Sequence, residues 1–133
     1  MTRVRIALAG IACLVLAACG GPFLAIPGGA LRGELVSEPV RDWSFADDTF
    51  VDLEVRPEDP YSVELNYFVR EGQLFIDPAE GRTWFQHLRE DPRARVRFDG
   101  KVYPVVAVQV GEPGEIDGFD ADRYVYRLDS REP

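Results

Sequence analysis

The chain has 133 residues, 46% apolar and 29% charged, with 23 acidic against 15 basic side chains and a net charge of −8. Residues 1–18 hold Arg3 and Arg5 but no Asp or Glu, so the remainder carries 13 positive and 23 negative charges, a net −10. That balance excludes a nucleic-acid partner, which needs a basic face, and the length excludes a second domain. All 15 aromatic residues lie beyond position 18, which argues against general disorder.

The first element is an address. After Arg3 and Arg5, no residue from Ile6 to Ala18 is charged or strongly polar. As a helix this run spans roughly 20 Å, short of the roughly 30 Å hydrocarbon core of a bilayer, so it reads as the apolar region of a signal peptide. It ends in Leu16-Ala17-Ala18-Cys19-Gly20, which resembles the lipobox of bacterial lipoproteins. The resemblance implies cleavage before Cys19, lipidation of its thiol and acylation of its new amine, with several acyl chains giving stable anchoring. The plainer alternative is an ordinary secretory signal with a chance cysteine. Cys13 lies inside the removed run, so acylation of Cys19 leaves no thiol for a disulfide, a thiolate metal site or a redox pair. The two arginines are not adjacent, so the twin-arginine route is not indicated and export is of the unfolded chain. Gly20 and Gly21 lack the Asp that retains lipoproteins at the inner membrane of enteric bacteria. The expected location is therefore the cell envelope, facing the periplasm, with the outer membrane favoured.

Residues 19–33 follow as the lipidated Cys and a Gly/Pro-rich tether or extended lead-in, with Phe23, Leu24 and Ile26 able to touch the domain. The domain is assigned to 34–133, where strand signals dominate. Leu35-Val36 opens a first strand and Phe50–Val55 makes a second. Tyr61 to Asp77 is predicted as one hairpin, with Val63, Leu65, Tyr67 and Val69 on one face and Glu71-Gly72 in the turn. A helix is predicted over about Gly81 to Asp91, with Trp84, Phe85 and Leu88 as its apolar stripe and Pro92 ending it. A second hairpin turns at Asp99-Gly100. Its return strand, Val102 to Val110, is apolar on both faces and therefore central. Pro104 marks a bulge or a free edge within it. A last strand runs through Tyr124, Tyr126 and Leu128. The expected fold is mostly β: a small antiparallel sheet closing on itself, with one main α-helix.

The stretch Leu74-Phe75-Ile76-Asp77 followed by Gly81-Arg82-Thr83-Trp84-Phe85-Gln86-His87-Leu88-Arg89-Glu90-Asp91-Pro92-Arg93-Ala94-Arg95-Val96 is similar to the split β-barrel superfamily. That superfamily includes the pyridoxamine phosphate oxidase-like flavin-binding proteins and the deazaflavin-dependent nitroreductases. Val125-Tyr126-Arg127-Leu128 resembles the family's final strand, and the similarity covers roughly residues 34–129. It implies a split-barrel-like domain in which Gly81, Arg82 and Thr83 occupy the segment that helps bind a flavin phosphate. The chemistry suits: a helix N-terminus offers free N–H groups, an Arg bidentate charge and a hydroxyl a donor. The plainer reading is that Gly81 and Thr83 start the helix while Arg82 is solvated, with Glu80 beside them repelling a phosphate. The family's long helix before the last strand is shortened here to the acidic loop Gly111–Asp122, a region that often flanks the ligand or the partner of a homodimer.

The remaining constellations read as structural. His87, the one histidine, lies at the edge of the helix stripe, and none of Ser37, Ser44, Ser62 and Ser130 sits in a nucleophile elbow. The acidic run Asp117–Asp122, with Glu112 and Glu115, lacks EF-hand spacing and reads as a solvated loop. Asp42, Asp47 and Asp48 surround Trp43-Ser44-Phe45 as a turn with its aromatics in the core. Arg93, Arg95 and Arg97 alternate on one strand face, where cross-strand pairing with acids is expected over an anion-binding stripe. No catalytic or metal-ligating residue is assigned. Two functions stand: a non-catalytic, membrane-anchored binding or structural module that needs no cofactor, and a tethered flavin- (FMN) or deazaflavin-dependent oxidoreductase.

Overall fold

The computed structural model describes residues 21–23 and 25–133; the expected signal peptide 1–18, Cys19, Gly20 and Leu24 lie outside them. Among the described residues the elements are β1 (Glu34–Leu35), β2 (Val51–Val55), β3 (Tyr61–Leu65), β4 (Phe68–Arg70), β5 (Gln73–Ile76), α1 (Thr83–Glu90), β6 (Arg93–Phe98), β7 (Lys101–Gly111) and β8 (Val125–Ser130). The strands form one curled sheet in the order β3-β2-β6-β7-β8-β5-β4, antiparallel throughout, with β1 added parallel to β7.

Turn chemistry accounts for two hairpins. Glu71-Gly72 (φ 51° and 75°) joins β4 to β5, and Asp99-Gly100 (φ 47° and 73°) joins β6 to β7. Both carry the paired positive φ of a type I′ turn, whose twist matches that of the strands. β7 is central, as its two-faced apolar pattern requires, with β6 on one side and β1 and β8 on the other. Pro104 sits where those last two partners meet, since β1 pairs Lys101 and Val102 while β8 begins opposite Val105. Its carbonyl accepts from the Arg131 N–H at 3.1 Å, so its ring nitrogen faces the same junction, and the bond it cannot return lies just past the end of β8 at Ser130. The bulge lies further along, between Gln109 and Gly111.

The predicted hairpin from Tyr61 to Asp77 is divided in two. β3 pairs with β2 and β4 with β5, and among the described residues β3 and β4 share no ladder, so the sheet curls without closing its ring. Between the two strands stands Tyr67, whose hydroxyl donates to the Asp48 carbonyl at 2.6 Å and whose ring meets Phe98 edge-on at 5.0 Å. It is thus anchored at two points where the chain passes from β3 to β4.

Inside the curl, Leu53, Leu74, Val96, Phe98 and Leu128 are buried together with Trp84, Phe85 and Leu88 of α1. Trp43, also buried, plugs the interior beside Tyr103 (5.4 Å) and Phe98 (6.1 Å), and its backbone N–H donates to Gly72 at 2.8 Å. Phe45 lies half-exposed against the same three rings.

Two of the three arginines of β6, Arg95 and Arg97, pair across the sheet as expected, whereas Arg93 finds its acid two residues back in the chain. Arg95 donates to Glu54 at 2.8 and 2.7 Å and Arg97 to Asp52 at 3.0 and 2.6 Å, each directly across from β2. Arg93 pairs with Asp91 at 2.7 Å. The same guanidinium groups also hold the lead-in, Arg95 through the Leu31 carbonyl (3.2 Å) and Arg97 through the Arg32 carbonyl (3.0 Å). Glu54, nearly buried, accepts the Leu31 N–H at 2.7 Å. Further out, Gly28 and Ser62 exchange two backbone bonds of 2.9 Å. The Gly/Pro-rich segment is thus laid along the sheet from Gly28 onward.

Candidate functional site

Beside the edge of β3 that β2 does not cover lies a cleft of about 480 Å³, within the range of small-molecule sites. Its apolar lining comes from Val63, Leu65, Ile76 and Trp84, and Ile26 and Pro27 of the lead-in form part of its rim. Gly81, Arg82 and Thr83, the three residues singled out in the sequence, all line it and are all exposed.

Local geometry explains their placement. Gly81 has a φ of 87°, which a side chain disfavours, and the space beside it is open. Arg82 is extended (φ −75°, ψ 131°) and starts α1: its carbonyl accepts the Phe85 and Gln86 N–H groups at 3.1 and 3.2 Å. The Arg82 side chain makes no capping bond, so helix geometry leaves the N–H groups of Thr83 and Trp84 without an intrahelical acceptor. Glu80, expected to repel a phosphate here, is instead held by Arg89 in a bidentate pair at 2.8 and 3.0 Å. That contact keeps its carboxyl below the usual range. Arg89 in turn lies over the rings of Phe85 (3.9 Å) and Tyr124 (4.8 Å).

Sequence reasoning missed Arg123. The loop before β8 docks on the β5–α1 connection through an Ala79–Arg123 bridge and a bond of 3.1 Å from the Tyr124 N–H to the Pro78 carbonyl. This brings the Arg123 guanidinium into the cleft, where Nη1 donates to the Asp77 carbonyl at 3.1 Å and lies 3.9 Å from the Asp77 carboxylate. Nε is buried and has no hydrogen-bond acceptor among the described residues, with Asp122 standing off at 3.7 Å. Burial pushes the Asp77 carboxyl up; Arg123 opposes that, and Asp120 and Asp122 add to it. Arg123 is the one basic residue between Lys101 and Arg127, a signal that a charge survey of the acidic loop could have used.

No protein-family model matches the sequence, and no curated protein matches it. Among solved structures, the chain is similar to a putative pyridoxamine 5′-phosphate oxidase from Listeria innocua, at 10% identity and a TM-score of 0.50, over 64% of this chain and 86% of that one. It is also similar to a FAD-binding protein from Mesorhizobium loti, at 15% identity and a TM-score of 0.51, over 66% and 83%. The fold is that of the split barrel. In this split barrel the seam is the gap between β3 and β4, and the cleft opens beside its β3 side.

The other singled-out groups lie elsewhere. His87, half-buried, has Nε2 3.2 Å from Arg56 Nη1 and its ring edge-on to Tyr61 at 5.3 Å, a packing contact between α1 and β3. The acidic loop covers β4 and β5: Phe119 packs on Phe68 (4.9 Å) and Phe75 (6.3 Å), and Arg70 lies 4.2 Å over its ring while donating to the Asp117 carbonyl. Phe119 thus fastens the loop to the sheet, while Glu112, Glu115, Asp117, Asp120 and Asp122 are exposed, as expected of a solvated acidic segment.

Proposed function

We propose that this protein is a lipid-anchored module of the bacterial cell envelope, facing the periplasm, whose split barrel binds a small ligand with an anionic group and is not itself a catalyst. The observation that carries the reading is the cleft. It joins the open N-terminus of α1 and the exposed Arg82 to an apolar wall, with Arg123 also in its lining. A phosphate or carboxylate would accept from these groups, and helix N–H groups with arginine are the donors such anions favour. The anchor rests on the basic start, the apolar run and Leu16-Ala17-Ala18-Cys19.

A second reading, a tethered flavin- or deazaflavin-dependent oxidoreductase, is supported by the likeness in fold to the FAD-binding protein and the putative oxidase. The residues present fit the phosphate end of such a group: Arg82 and the Thr83 hydroxyl are exposed donors in the cleft lining, and Arg123 lines it beside them. Bound there, the cofactor would supply the redox chemistry. The chain would hold its phosphate, orient its ring against the apolar lining and exclude water. The acidic loop standing where the superfamily carries a long helix favours the binding reading.

Titration of the purified protein with FMN and with inorganic phosphate, followed by flavin fluorescence and thermal shift, tests both. A ligand at 1,000 times its Kd stabilises by about 4 kcal/mol, several degrees in a domain of this size. The expected result is a shift that disappears in Arg82→Ala and Arg123→Ala. No response to FMN sinks the oxidoreductase; no response to either probe sinks the anion site.

A further inference from the structure

Resting on the proposed anchor at Cys19, we infer that the turn from Phe23 to Ile26 inserts into the bilayer interface and holds the split barrel with its cleft beside the lipid. Phe23 and Ile26 are the most exposed large apolar side chains of the described residues, at 70% and 65%, ahead of Leu35 and Phe45 at 49%. They occupy the ends of one tight turn, closed by reciprocal backbone bonds of 3.0 and 2.9 Å from Phe23 N–H to the Ile26 carbonyl and back. Phe23 and Ile26 thereby satisfy each other's backbone groups, which suits a medium with little water, where an unmatched N–H or C=O is costly.

The surrounding sequence points to the same occupant. No residue from Cys19 to Leu31 is charged, in a chain where 29% are. Phe23 lies four positions after Cys19, a reach of at most about 14 Å. Acyl chains on Cys19 therefore keep the turn at the membrane surface, where apolar side chains bury to a depth of about 5–10 Å. With a net −10 beyond position 18, the domain gains no general attraction to anionic lipid, so the contact is apolar rather than electrostatic. Ile26 and Pro27 also line the cleft, so insertion of the turn places the cleft mouth at the lipid face.

The test uses the full-length protein, taken from membranes and reconstituted in phosphatidylcholine vesicles with or without bromine along the acyl chains. The parent, whose Trp43 and Trp84 are buried, is the blank. Phe23→Trp is expected to add a blue-shifted emission that brominated lipid largely quenches, with little quenching in the parent. Added emission that stays water-like on an acylated, vesicle-bound chain overturns the insertion and leaves the anchor standing. Added emission that is blue-shifted but unquenched means a protein surface, such as a second copy, covers the turn, and this also overturns the proposal. The intact mass reads the anchor separately: a chain without acyl mass that no longer sediments with vesicles overturns both.

Discussion

Asp77 shows how one residue ties the cleft to the stability of the fold. Its carboxyl is largely buried, with side-chain exposure of 12%, and its closest cationic group, at 3.9 Å, is beyond hydrogen-bond reach. The folded state therefore holds the proton more tightly than the unfolded chain, whose carboxyl titrates near 3.8. Stability falls as pH rises from that value through the raised one, because ionisation costs more in the fold than out of it. Asp77→Asn removes this cost. Urea unfolding across a pH series should find the variant more stable than the parent at pH 7, with the advantage fading toward pH 3.8. A constant difference at all pH values would mean that packing, not charge, decides it. Arg123 is held at the same place by its backbone bridge to Ala79, and among the described residues no acceptor lies within hydrogen-bond reach of its Nε.

Among elements, the lead-in and the β2–β6 pair depend on each other. Glu54 is 5% exposed and accepts from Arg95 and from the Leu31 backbone at once. Glu54→Ala would strand both donors. Loss of one partner of a buried pair costs about 3–5 kcal/mol, and because Arg95 keeps some contact with water the expectation here is about 2–3 kcal/mol. The denaturation midpoint should fall accordingly, and proteolysis should cut between residues 22 and 33 earlier than in the parent. These contacts were half legible: alternation of Arg93, Arg95 and Arg97 announced cross-strand acids, whereas their grip on the Leu31 and Arg32 carbonyls lies 64 and 65 residues away in the chain. The hairpins at Glu71-Gly72 and Asp99-Gly100 were legible for the opposite reason, since two adjacent positive-φ residues set the turn locally. The break between β3 and β4 was not, because Val63, Leu65, Tyr67 and Val69 keep an unbroken alternation and the residue at the break, Tyr67, is held by Asp48 and Phe98.

At the scale of the whole molecule, the lead-in rims the cleft at Ala25, Ile26 and Pro27 before it joins the sheet, and the proposed anchor at Cys19 precedes that segment in the chain. Cys19→Ala, fractionated after expression, should move the protein from the membrane pellet to the soluble fraction; retention in the pellet would contradict the lipid anchor. The sequence by itself determined the acidic charge, the turns, the central two-faced strand, the amphipathic helix and the segment Gly81-Arg82-Thr83. Each depends on residues near one another in the chain, whose φ preferences and apolar spacing act without distant partners. Tertiary structure alone decided where the sheet stays open, that Arg123 joins Arg82, and that Arg89 takes Glu80 out of the way. Those outcomes depend on which strand edge finds a partner and which carboxylate a guanidinium reaches first, and both are settled only once the sheet has curled.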